Sequence, residues 1–193
     1  MYEIIEEVKW LEKVIDDYKH DIRPDYSLLP VLSNSVSSAY GRFVVEHNLA
    51  GEDRLLIALA ISPYISNSVL NLLVSENNRS CLAQYAKTGL LMPTGETFLQ
   101  LVAGNNPEIR IESSRIFDTS HVFYKKGVID LGSVDEGVPG TQGVIKIAAA
   151  YRELFLHNKI LRPRYSSDFP AHLLETRLEW SDLVLNEGTE KRI

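Results

Sequence analysis

No stretch of this chain is punctuated as firmly as the one from Gly89 to Gly104. Pro93 and Thr94 open a helix, Phe98, Leu101 and Val102 fall on one face of it, and Gly104 stops it. A single buried face on a helix this well bounded calls for a layer of other elements packed against it. The same stretch excludes a phosphate-binding loop. Such a loop places four residues between its glycines and then a Lys, so that backbone N–H groups cradle the phosphates and an ammonium reaches their outer oxygens. Here five residues separate Gly89 from Gly95, and Glu96 stands where the Lys would be.

At 193 residues the chain can hold one domain with an appendage, or two small domains. Its hydrophobic fraction of 45% and charged fraction of 24% are ordinary for a folded protein, which argues against wholesale disorder. The formal charge of −6 disfavours nucleic acid and anionic membranes as partners, because both are usually met with a Lys/Arg surplus. Cys81 is the single cysteine, which removes an intrachain disulfide framework and a Cys-based zinc site and fits a reducing cytoplasm. Met1 leads into an acidic amphipathic segment with no signal-peptide pattern, and apolar runs such as residues 55–61 fall short of the roughly 20 residues of a membrane span. A cytoplasmic location is the expectation.

The first half reads as all-α. Ile4, Val8, Leu11, Ile15 and Tyr18 form a narrow apolar seam on a helix over 3–19. Pro24 and Pro30 break it. An Asn34 or Ser35 cap opens a second helix carrying Val36, Ala39, Tyr40, Phe43 and Val44, with Gly41 inside it. Residues 55–60 read as a short buried helix that Ser62 and Pro63 stop, Ser62 capping and Pro63 starting the next, which runs to about Ser75. Residues 81–91 are compatible with helix, strand or loop. Asn106, Pro107 and Glu108 begin a further helix with Ile109, Ile116 and Phe117 inward.

The texture then changes. Residues 121–125, 128–131 and 143–147 are short β-prone runs, and the Gly- and acid-rich residues 132–142 between the last two read as a mobile loop. Residues 148–157 form a closing helix with Tyr151, Leu154 and Phe155 inward, and from Arg162 the chain reads as an extended tail. The expected fold class is therefore α+β and mostly helical: N-terminal helices, a winged-helix-like module with a small β-hairpin, and an extended C-terminal linker. The expected domain division is 1–165 and 166–193.

No catalytic constellation emerges. His20, His47, His121, His157 and His172 lack the i, i+4 spacing of a helical zinc site, and Glu46 with His47 and Asp118 with His121 read as surface pairs. Cys81 reads as a small buried residue. Asp16, Asp17, Asp21 and Asp25 lack the spacing of a calcium loop and read as a solvated face. A winged-helix outline raises DNA binding, yet the helix from Thr94 to Ala103 offers Thr94, Glu96, Thr97 and Gln100 and no Lys or Arg, which disfavours groove reading. Catalytic residues, bound cofactors and metals are accordingly expected to be none in this chain.

Three segments together resemble one family. They are residues 91–97 with the Leu101-to-Gly104 helix end, the hairpin leading through Gly143 into the helix around Phe155, and residues 169–186 with Phe169, Pro170, Trp180, Asp182, Leu183, Val184 and Leu185. They are similar to the region before the ATPase core in the AAA+ proteins encoded with bacterial contractile injection systems. The resemblance implies that Pro93, Thr94, Gly95, Glu96 and Thr97 form a motif of an N-terminal winged-helix-like domain, and that Trp180, Asp182, Leu183, Val184 and Leu185 lie near the adenine pocket of the intact protein. It implies ATP and Mg for that longer parent, assembled as a homo-oligomeric ring. The chain has no Walker A or Walker B motif, so the resemblance implies a non-catalytic domain that recognises a protein partner: the ATPase core, an injection-system component or a substrate protein. A winged-helix DNA-binding regulator, a stand-alone protein-interaction module and a small enzyme are the rival expectations.

Overall fold

The computed structural model describes residues 2–32, 38–74, 82–84 and 89–160. The fold is α+β and mostly helical. Four helices come first: α1 (Tyr2–Tyr18), α2 (Ala39–Glu46), α3 (Gly51–Ile65) and α4 (Asn67–Asn71). Strands β1 (Leu82–Gln84) and β2 (Leu91–Pro93) lead into α5 (Gly95–Ala103) and α6 (Pro107–Ser113). Helix α7 (Val122–Lys125), strands β3 (Ile129–Leu131) and β4 (Ile145–Ile147), and α8 (Ala149–His157) complete the described chain.

Helix α3 is the centre. Every side chain from Leu55 to Ser62 is buried, so this helix has no polar stripe and is enclosed by its neighbours. Helix α1 lays the predicted seam of Ile4, Val8, Leu11 and Ile15 into the same core, with Trp10 and Val14 widening it. On the other side, Phe98, Leu101 and Val102 of α5 point inward as the sequence requires.

Three predicted boundaries are corrected. Helix α3 does not stop at Ser62; it continues to Ile65 with Pro63 inside it, and the next helix is preceded by Ser66. Pro63 has no N–H for the Leu59 carbonyl, and the Ser62 hydroxyl donates to that carbonyl at 3.0 Å instead. Helix α2 begins later than predicted, at Ala39, where the Ser38 side chain accepts from the Gly41 N–H at 3.0 Å. The proposed caps Asn34 and Ser35, and Val36, lie outside the described residues. Residues 122–125 form a helical turn and not a strand. His121 caps that turn by accepting from the Phe123 N–H, and burial of Phe123 holds it in place.

Two small antiparallel sheets form. The undecided segment contributes β1, paired with β2 so that Leu82 faces Pro93. The predicted hairpin is β3 with β4, in the register Ile129 with Ile147 and Asp130 with Lys146. Its glycine-rich connection is tied down at both ends. Gly143 approaches the Gly132 carbonyl so closely that any Cβ would collide, and the Thr141 backbone rests on Gly95. Ile116 and Phe117 lie in a 3-10 turn after α6, where Phe117 meets Phe98 edge to face. Tyr40, Phe43, Tyr151 and Phe155 form an aromatic cluster where α8 packs on α2.

No described helix is long and apolar enough to cross a membrane. The extended tail, the boundary at 165, Cys81, His172 and the Trp180-to-Leu185 segment fall outside the described residues.

Candidate interaction groove

The motif at the start of α5 is a joint between the two halves of the described fold. Pro93 ends β2, and Thr94 bridges to Val144 beside β4. The Thr94 side chain accepts from the Thr97 N–H at 3.2 Å while the Thr97 hydroxyl accepts from the Thr94 N–H at 2.9 Å. This reciprocal pair satisfies two of the N–H groups that a helix start leaves open. Gly95 donates its N–H to the Gly143 carbonyl, and a Cβ there would meet the Thr141 oxygen at 2.8 Å. Only glycine lets the two backbones approach so closely.

Glu96 points inward and is 9% exposed. It is paired with Arg110 of α6, and its other oxygen accepts from the Gln100 amide at 3.1 Å. Gln100 in turn accepts from the Tyr18 hydroxyl at 3.1 Å. One polar chain thus runs from Tyr18 through Gln100 and Glu96 to Arg110, joining α1, α5 and α6. The polar side chains of α5 that a DNA reader would turn outward are engaged within the protein.

This chain ends at a groove of about 460 Å³ between the C-terminal ends of α1 and α5. Tyr18, Gln100, Asp21, Ile22, Arg23 and Asn105 are among the residues that line it. Asp21 holds a left-handed conformation at φ 59°, which turns the backbone so that its N–H reaches the Tyr18 carbonyl and that of Ile22 reaches Asp17. At the end of α5 the Gly104 N–H takes the Gln100 carbonyl and the Asn106 N–H takes that of Ala103. The Leu101 and Val102 carbonyls are left without a backbone donor among the described residues.

Groups with shifted titration lie away from this groove. Glu7 of α1 is fully buried and accepts from the guanidinium of Arg54, which also donates to the Pro30 carbonyl at 2.7 Å. Burial pushes the Glu7 carboxyl above its usual range despite the opposing pull of Arg54. Burial likewise drives the Tyr40 phenol upward, with the Glu7 charge adding to it. Neither Glu7 Oε2 nor the Tyr40 hydroxyl closes a hydrogen bond of normal geometry. Glu52 is also raised, chiefly by burial, while its bond to Ser113 opposes the shift.

His121 does not act with Asp118 as its sequence neighbour suggests. Its Nε2 lies 3.2 Å from Asp53 of α3, and its Nδ1 accepts from the Phe123 N–H. Both ring nitrogens are thus engaged within the protein, one with α3 and one with the turn that His121 caps. His20 bonds the Asp16 carbonyl, and His47 stacks edge-on to Phe43 with Glu46 3.9 Å away. Asp16 and Asp17 pair with Lys19 and Lys13, and Asp25 caps a short turn through Ser27. Among the described residues no three potential ligands converge on one metal position.

Sequence reasoning missed the Glu7–Arg54 pair and the His121–Asp53 pair. A signal for the first was present: Glu7 is three residues after Ile4 and four before Leu11, on the apolar seam itself. Nothing local announces the second. Comparison with known protein families, curated proteins and solved structures returned no match.

Proposed function

We propose that this chain is the non-catalytic N-terminal recognition domain of an AAA+ ATP-binding protein linked to a bacterial contractile injection system, working in the cytoplasm. It holds a protein partner and transmits force between that partner and the ATPase ring. The observation that carries the reading is the joint at Pro93 to Thr97, where each residue has a separate geometric duty. A five-residue motif whose members are all constrained is the kind of signature a domain family retains. The order of helices, hairpin and closing helix supports the winged-helix-like reading of the same resemblance.

A DNA-binding regulator is the less favoured reading, because Glu96 and Gln100 are engaged inside the protein and the chain carries a net charge of −6. In the proposed parent, ATP and Mg belong to the core, and Trp180 to Leu185 lie beside the adenine. The test is the genomic reading frame beyond the Ile193 codon. A Walker A loop in the same frame supports the proposal. A frame lacking any ATPase core, without contractile-particle genes nearby, overturns it.

A further inference from the structure

We propose that the groove between the ends of α1 and α5 receives a lysine or arginine side chain of the protein partner. The inference rests on the protein-recognition reading and gives that partner a chemistry. Two helices, Tyr2–Tyr18 and Gly95–Ala103, present their C-terminal ends here, and each helix end carries a partial negative charge. The carbonyl of Leu101, a lining residue, has no backbone donor among the described residues, so it can accept from a cation with several N–H groups. Asp21 adds a full negative charge on the wall formed by the end of α1.

The apolar part of the site fits the same ligand. Ile22 lines the groove and is 53% exposed, which offers the aliphatic stem of a long basic side chain a surface to lie on. Asn105 adds an amide group suited to the peptide backbone beside it. Arg23, also in the lining, opposes a cation and sets the limit on affinity.

The test uses the chain with a blocked Gly-Arg-Gly peptide as probe, followed by amide chemical shifts, with Gly-Glu-Gly and Gly-Leu-Gly as comparisons. The expected result is that the arginine peptide alone shifts residues 18–23 and 101–106. Asp21→Asn should weaken it about two- to fivefold, the size of one charge at a helix end, and Arg23→Ala should strengthen it. Asn accepts the left-handed backbone at 21, so the variant keeps the fold, which an unchanged spectrum elsewhere verifies. Shifts scattered over the surface, equal shifts from the glutamate peptide, or an affinity indifferent to Asp21→Asn would each overturn the proposal. Any of these results leaves the reading-frame test unaffected, and a frame without an ATPase leaves this one unaffected.

Discussion

The Ser62 hydroxyl donates to the carbonyl of Leu59, the acceptor that Pro63 leaves without its helical N–H. This bond gives the buried end of α3 a donor for the Leu59 carbonyl where the helix runs on past the half-buried Pro63 to Ile65. Ser62→Ala should therefore cost about 1–3 kcal/mol, the penalty for a buried acceptor left unmet. In a Pro63→Ala background the residue-63 N–H returns to Leu59, and the same substitution should cost well under half as much. Chemical denaturation of the four variants measures the difference. Equal costs in the two backgrounds would mean that the hydroxyl has another role.

Gly95→Ala should destabilise the protein by about 1–3 kcal/mol, although alanine is the better helix former, because its Cβ would press on the Thr141 backbone. Thermal unfolding gives the sign directly. A gain in stability would show that the hairpin connection yields at little cost.

The buried face of α5 should dominate over exposed apolar positions. Leu101→Ala is expected to cost about 2–5 kcal/mol, since Leu101 is 2% exposed, whereas Ile111→Ala, at a position 68% exposed, should stay within about 0.5 kcal/mol. Matching denaturation midpoints would contradict the assignment of these faces.

The features legible in the sequence were those set by local chemistry. The Asn106 and Pro107 helix start, the Thr94 and Gly104 limits of α5, and the seam of α1 each follow from a few neighbouring residues. The errors arose where a distant or unusual bond intervened. At Pro63 a serine side chain replaced a backbone donor, and at His121 a ring nitrogen turned a β-prone run into a helical turn. The polar network of α5 was hidden for a related reason. Glu96 and Gln100 look like surface residues until tertiary packing joins them to each other and to Tyr18 of the α1 seam. Pairing partners across the fold, such as Arg54 for Glu7, have no local signature.

Glu7 should give the protein a distinctive pH dependence. Its pKa is raised in the folded state, so the folded protein holds that proton more tightly than the unfolded chain. The stabilising contribution is fully present below the unfolded value near about 4.3 and is lost as pH rises through the folded one. Urea denaturation of the wild type and of Glu7→Gln across this range isolates the effect from Glu52, which shifts in the same direction. The stability of the wild type relative to the variant should fall as pH rises. A relative stability that grows with pH would mean that Arg54 outweighs burial.

The central structural claim is that Glu96 of α5 is engaged inside the fold, with Arg110 and Gln100, and does not face a ligand. The Glu96–Arg110 pair tests it most directly, because it joins the motif to α6. In a double-mutant cycle with Glu96→Gln and Arg110→Met, followed by urea denaturation, the account predicts a coupling of about 1–2 kcal/mol, reduced from the fully buried case because the Arg110 side chain is 33% exposed. A coupling below about 0.3 kcal/mol, the level of an ordinary surface pair, would contradict it.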